Sequence, residues 1–312
     1  MKIAVIGAGG VGGYFGGMLC RAGFPVIFLT RGVTLQALKN NGLVVKSIYG
    51  GFTVHPEVSG DPAALQDADL VLLCTKSWQI EDIARKISGN LKSSAAVLPL
   101  QNGADNAERL VRILPGQQVL GGLCKIVSKI ESPGVIDHFA YVPEIVYGER
   151  DRSQSQRVLA IKKVFDKAGF KSTISENIQR DIWLKFLFIA SISALGAVTR
   201  SVLGVLREEK FLRGMIIDTA KEIVAVGQAQ EVDIRKEDID FILGMVDQGT
   251  YDTTMSMQRD IMEEKPSELE NFNGYIVKKG KELGVDTPVN AFLYYTLLPM
   301  EKRARQSAGA NP

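Results

Sequence analysis

Two groups of residues in this 312-residue chain have types and spacings that could do chemistry. The first is Gly7, Gly9 and Gly12 in the opening "MKIAVIGAGGVGGYFGGML", a G-x-G-x-x-G set directly after a short apolar run and just where helical spacing takes over. In that context the pattern points to a dinucleotide. Gly7 permits the tight turn, Gly9 lets backbone amides approach a pyrophosphate, and Gly12 lets helix and strand close together. The segment Gly7, Ala8, Gly9, Gly10, Val11 and Gly12 is therefore expected to bind the cofactor at a helix N-terminus, with its positive dipole end toward the phosphates. A glycine-rich turn without a ligand is the competing reading. The second strand ends "FLTRG", where an acidic side chain would accept from the ribose of NAD. Thr30 and Arg31 offer a hydroxyl and a guanidinium instead, which suit a 2′-phosphate and point to NADP, with a solvated loop arginine as the alternative.

The second group is what could serve a hydride transfer to a carbonyl, which needs a proton donor. The two histidines, His55 and His138, lie in segments that read as ordinary strand or loop. Lysine is the next candidate. Lys76 in "CTKSWQ" and Asn102 in "PLQNG" each follow a probable strand, at the carboxyl edge where open parallel sheets bind ligands, although a surface lysine and a turn asparagine would read the same. Lys185 in "DIWLKFLFIASISAL" has apolar neighbours around the whole helix. Desolvation there would lower its pKa toward neutrality, as a general acid requires, unless its tip snorkels to water. Glu268 reads as the first residue of a helix capped by Ser267, where a carboxylate suits the dipole.

The elements that must position these groups begin as an alternation. Strands are expected at 2–6, 25–29, 42–47, 70–74, 95–98 and 118–120, with helices after the glycines and at 35–40, 80–87 and 104–114 between them. Such alternation implies a mainly parallel sheet covered on both faces. A polar helix (153–168) and a last strand (171–174) follow, and from about residue 176 the pattern is helical almost throughout. Ser267 with Glu270 makes a capping box for a helix that Gly284 ends, and Thr287 with Pro288 starts the last one. The expected architecture is an N-terminal Rossmann-type doubly wound sheet over 1–175 and an all-α domain over 176–312.

Composition narrows the partners. An apolar fraction of 46% supports two cores, and a net charge of +2 gives no positive field to argue for nucleic acid. Cys20, Cys74 and Cys124 have no paired spacing, so neither a disulfide framework nor a metal site is expected, and a cytoplasmic home fits. The apolar stretch 182–199 carries Lys185 and reads as a core helix rather than a membrane span. Apolar helical surface in the second half suits a core or a homodimer interface.

Taken in order, "GAGGVGGYFGGML", "TRG", "CTKSWQ", "QNG", "IWLKF", "SMQRDIMEEKPSELENFNGYIV" and "GVDTPVN" resemble the ketopantoate reductase family over essentially the whole chain. The resemblance implies NADPH-dependent reduction of a small 2-keto acid, 2-dehydropantoate, to (R)-pantoate, in a fold whose second domain is like the C-terminal domain of 6-phosphogluconate dehydrogenase. It makes Lys185 the general acid, Glu268 the partner of the substrate's hydroxyl and Ser256 that of its carboxylate. Lys76 and Asn102 would lie where cofactor and substrate meet, Arg31 at the 2′-phosphate, and Gln79 is a further cofactor candidate. The family usually places asparagines four and eight residues beyond the lysine, on the same helix face. Here those substrate-facing positions are Ile189 and Ser193. Each charge-assisted bond missing there is worth about 1.5 to 3 kcal/mol, so a related, more apolar 2-keto acid, or a binding protein without catalysis, is the alternative.

Overall fold

The structure is a computed structural model and describes residues 1–310. The chain divides into two compact units, the first Met1–Asp181 and the second from Ile182 onward.

The first unit starts with β1 (Ile3–Ile6), α1 (Gly10–Arg21), β2 (Val26–Leu29) and α2 (Gly32–Asn41). The strands β3 (Leu43–Ser47), β4 (Phe52–Val54), β5 (Glu57–Ser59) and β6 (Leu70–Leu73) follow, then α3 (Ile80–Ile87), β7 (Ala96–Pro99) and α4 (Asn106–Val111). One all-parallel sheet has the order β5-β2-β1-β6-β7. Every residue of β1, β6 and β7 is buried, which is why these strands are continuous apolar runs rather than alternations. Alternate residues feed two cores. Ile3, Val5, Leu70 and Leu72 pack with Phe15 and Leu19 of α1, whereas Ala4, Ile6, Val71 and Leu73 pack with Ile80, Ala84 and Leu110 of α3 and α4. The chain leaves β1 toward β2 and later returns to β6 on the other side of β1. That reversal opens a crevice at the carboxyl end of β1, the usual ligand position in such sheets.

A second sheet departs from the expected single layer. It is built on β3 with β8 (Gly121–Ser132), β9 (Val135–Gly148) and, after α5 (Gln156–Ala168), β10 (Lys171–Ile174). Its order is β10-β9-β3-β4, with β8 paired to β9. The 42–47 strand thus leaves the parallel sheet and pairs with β9 and β4 instead. The strand expected at 118–120 is also corrected. Gly116–Gln118 is a 3-10 turn, Val119 makes a single bridge to Val97, and the strand proper begins at Gly121. Pro143 inside β9 and three register shifts along the β8–β9 hairpin mask its strand pattern in the sequence.

From Ile178 the elements are α6 (Ile178–Thr199), α7 (Leu203–Glu208), α8 (Lys210–Ala229), α9 (Glu237–Gln248), α10 (Ser256–Met262), α11 (Asn273–Leu283) and α12 (Pro288–Ala310). Helix α6 is long and apolar enough to cross a membrane, yet 67% of its apolar window is buried inside the protein. Trp183 lies 2.9 Å from where a side chain on Gly227 of α8 would begin, and Phe186 meets Phe272 edge-on with ring centroids 5.9 Å apart. The start of α12 is satisfied from α8, where the Glu222 carboxylate accepts from the Val289 and Asn290 amides at 2.8 and 2.9 Å.

Candidate active site

The glycine segment has the geometry that a pyrophosphate needs. Gly7 has φ +96°, and a β-carbon there would stand 3.0 Å from the Thr75 backbone nitrogen. At Gly12 the added carbon would lie 2.0 Å from the Gly7 carbonyl oxygen, so helix and strand touch through bare backbone. Gly9 differs: it precedes the first residue of α1, and a β-carbon there would meet only Ile130 Cδ1, at 4.0 Å. This small unfilled space lies beside the first amides of α1, which have no carbonyl partner within their own helix. The residues present therefore fit a dinucleotide's phosphates. Two further contributors have no signal in the sequence: Ser128 of β8 packs on Gly10, its Oγ 2.7 Å from the position of an added β-carbon, and Ile130 borders the space at Gly9. The hairpin that brings them there joins the glycines only in three dimensions.

Arg31 stands at the carboxyl end of β2, exposed, as the residue preceding α2. Thr30 is tied by its amide to the Ser59 carbonyl at 3.0 Å. Lys76 and Asn102 end up in neighbouring loops, after β6 and β7. The Gln101 amide donates to Thr75 Oγ1 at 3.4 Å, and the Asn106 amide pins the second loop by donating to the Gln101 and Asn102 carbonyls at 2.9 and 3.3 Å. Lys76 Nζ lies 5.7 Å from the centre of the Trp78 ring, and Gln79 closes the turn with its amide on the Lys76 carbonyl at 3.0 Å. Arg109 of α4 donates to the Ser77 carbonyl and pairs with Glu81, each at 3.1 Å, and this pairing holds the Glu81 carboxyl below its ordinary range.

Three acceptor atoms behind these loops, Gln101 Oε1, Asp105 Oδ1 and Asn106 Oδ1, are buried without a hydrogen-bond partner among the described residues. Burial pushes the Asp105 carboxyl above its usual range, with Glu108 adding to the rise and Arg109 and Arg112 opposing it. The folded protein thus holds this proton more tightly than the unfolded chain does. The stabilisation from Asp105 is present at acid pH and is lost as pH rises through its folded-state value. Asp105→Asn is expected to be more stable than wild type at pH 7, by on the order of 1 kcal/mol. The gain should shrink toward zero at pH 4 and below, as urea denaturation at the two pH values will show.

In the second unit, Lys185 is half-buried between the buried Trp183 and Phe186. Further along the same row Ile189 is 8% exposed and Ser193 is 1% exposed. The Ser193 hydroxyl donates back to the Ile189 carbonyl, so it is already engaged within its own helix. Glu268 is buried, but not at the start of a helix. The expected capping box fails: α11 begins at Asn273, and 268–272 forms a turn in which the Glu268 carbonyl accepts from the Asn271 and Phe272 amides, both at 3.0 Å. Ser267 Oγ still accepts from the Leu269 amide at 3.3 Å, but its hydroxyl donates to Glu301, and Glu270 accepts from the Tyr294 hydroxyl at 2.9 Å rather than turning back to Ser267. The Phe186–Phe272 contact and the Asn273 amide, 3.5 Å from the Ala190 carbonyl, bring this turn against α6. Ser256 is exposed at the first position of α10, whose start is held against the end of α6 by the Gln258 amide on the Ser201 carbonyl at 2.8 Å. The glycines, Arg31, Lys76, Gln79 and Asn102 thus share one edge of the parallel sheet in the first unit. Lys185, Ile189, Ser193, Ser256 and Glu268 belong to the helices and turn of the second.

Comparison with known proteins matches one family over both parts of the chain. A family model described as "Ketopantoate reductase PanE/ApbA" matches residues 3–152, and one described as "Ketopantoate reductase PanE/ApbA C terminal" matches residues 177–301. The oxidoreductase YkpB of Bacillus subtilis is 29% identical over 95% of this chain and 98% of its own. The 2-dehydropantoate 2-reductase of Pyrococcus horikoshii is 26% identical over 99% of each. The crystal structure of a PanE/ApbA family ketopantoate reductase from Ralstonia eutropha JMP134 superposes with a TM-score of 0.90 at 31% identity, covering 98% of this chain and 100% of that one. A D-mandelate dehydrogenase with NADH and anilino(oxo)acetate shares the fold, with a TM-score of 0.88 at 23% identity over 98% of this chain and 99% of that one.

Proposed function

The chain belongs to the ketopantoate reductase family, and on that premise we propose that it is a cytoplasmic, NADPH-dependent 2-oxo acid reductase whose leading substrate is 2-dehydropantoate, reduced to (R)-pantoate on the route to pantothenate and coenzyme A. The nicotinamide, when bound, supplies the hydride that reaches the ketone carbon. Gly7 to Gly12 hold the pyrophosphate with backbone amides, and Arg31 pairs with the 2′-phosphate. Lys76, Gln79 and Asn102 orient the bound groups at the sheet edge. Lys185 donates a proton from Nζ to the carbonyl oxygen as the alkoxide develops. Glu268 accepts a hydrogen bond from the substrate's hydroxyl, and Ser256 donates to its carboxylate. The observation that carries this reading is a lysine half-buried in the apolar helix α6, on which the buried-glutamate turn packs through Phe272.

A second reading rests on Ile189 and Ser193. One is apolar and the other has its hydroxyl engaged, so neither position in this structure presents the donor that an asparagine would. That favours an apolar 2-oxo acid without a hydroxyl. Steady-state rates for 2-dehydropantoate, 3,3-dimethyl-2-oxobutanoate and phenylglyoxylate, each with NADPH and with NADH, separate the two. A preference for 2-dehydropantoate supports the first reading, and a preference for either apolar acid supports the second. Tight NADPH binding with no turnover of any of the three would reject both in favour of a non-catalytic NADP-binding protein. In the same assay Arg31→Ala is expected to raise the KM for NADPH about tenfold to a hundredfold and leave that for NADH unchanged, since one charge-assisted contact is removed. Equal KM changes for the two cofactors would overturn the assignment of Arg31.

A further inference from the structure

All three polar groups of Ser267, the residue before Glu268, are held from one place on α12. The Glu301 carboxylate accepts from the Ser267 amide at 3.1 and 3.0 Å through its two oxygens, and from the Ser267 hydroxyl at 2.5 Å. One helical turn on, Arg305 Nε pairs with Glu301 at 2.7 Å, and its terminal nitrogen donates to the Ser267 carbonyl at 3.1 Å. Glu301 is 2% exposed and Ser267 is fully buried. A glutamate so deeply buried is costly unless every lone pair is engaged, and here a guanidinium and two Ser267 donors engage them. The chain reaches Ser267 through a tight link: Glu264 has φ +56°, and the Lys265 amide bonds to the Asp260 carbonyl at 2.8 Å. On the other side the Glu268 carbonyl already accepts the first bonds leading into α11. Glu268 is thus suspended between a gripped residue and a helix start.

We propose that Glu301 and Arg305 are positioning residues for Glu268: the pair on α12 fixes the turn from which that glutamate reaches the substrate. The inference rests on the role given to Glu268 above and extends it to residues more than thirty positions away in the chain. Holding a binding carboxylate in place is worth most to a substrate that has the group it binds.

The test compares 2-dehydropantoate with 3,3-dimethyl-2-oxobutanoate, which differs only in lacking the hydroxyl, and reads the ratio of their kcat/KM values. Glu268→Gln sets the reference loss of that ratio. Glu301→Gln and Arg305→Met are expected to lower it by about tenfold, mostly through the KM of the hydroxylated substrate, as loss of one charge-assisted contact would. Arg305→Lys, which keeps the cation beside Glu301, should stay within about threefold of wild type, and the Glu268→Gln/Glu301→Gln double variant should be no worse than Glu268→Gln alone. NADPH affinity, read by fluorescence quenching, should not move. Equal losses on both substrates, or an additive double variant, would show a merely structural role and overturn the proposal. A selective Glu268→Gln effect with unselective Glu301→Gln and Arg305→Met overturns this inference alone. An unselective Glu268→Gln, or a wild type indifferent to the hydroxyl, overturns the role of Glu268 and this inference with it.

Discussion

Lys185→Met is expected to lower kcat by a factor of about 10² to 10⁴, the usual contribution of a positioned general acid, and to leave NADPH affinity within about twofold. The split follows from where the residue sits. Lys185 is half-buried on α6 in the second unit, whereas the glycine segment and Arg31 are in the first. Methionine keeps an unbranched apolar stem for the neighbours of Lys185 to pack on, so loss of activity will report loss of the amine rather than of the helix. Arginine should not restore the rate, because a guanidinium holds its proton too tightly to give it up. Single-turnover measurement of hydride transfer with saturating NADPH is the check. A variant with wild-type kcat would remove Lys185 from the chemistry.

Gly12→Ala is expected to destabilise the first unit by about 3 kcal/mol, at the upper end for forced overpacking. The new methyl would lie 2.0 Å from the Gly7 carbonyl oxygen and 2.9 Å from Cys74 Cβ, and the first of these contacts is backbone that cannot swing away. Relief requires α1 to lift from β1, which would also open the core around Phe15 and Leu19. Gly9→Ala makes the informative pair. Its methyl meets only Ile130 Cδ1 at 4.0 Å, and its φ of −82° is ordinary for alanine. It should therefore fold with nearly wild-type stability, within about 0.5 kcal/mol, while filling the space that a pyrophosphate would need. Urea denaturation combined with NADPH titration distinguishes the two variants. Equal stability of both, or undiminished cofactor affinity in Gly9→Ala, would contradict this account of the segment.

Much of the first unit was legible because its signals are local. β1, β6 and β7 are apolar along their whole length since both faces of a parallel sheet are covered, and the turn between β1 and α1 announces itself through Gly7, whose φ of +96° favours glycine. Gly284 ends α11 in the left-handed conformation, φ +69°, again a property of one residue. The β8–β9 hairpin is the opposite case. Its residues are buried only over part of their length, Pro143 interrupts it, and Tyr141 takes φ +65°, so no periodic pattern survives.

The sequence by itself determined the alternation of β1, α1, β2, β6, α3 and β7, the glycine turn, the basic end of β2 and the single lysine set in an apolar helix. Tertiary structure decided which partners the remaining polar groups would take. Ser267 has the composition of a helix cap, but its hydroxyl goes to Glu301, thirty-four residues away, and Glu268 is left in a turn ahead of the helix. Ser193 has a hydroxyl suited to a substrate, but α6 takes it back for its own carbonyl. Ser128 comes to rest on Gly10 because a hairpin folds over the start of α1. The physical reason is one of range. Propensity, turn chemistry and burial patterns act over a few residues and can be read along the chain, whereas a hydrogen-bonding group takes whichever partner the completed packing leaves within reach.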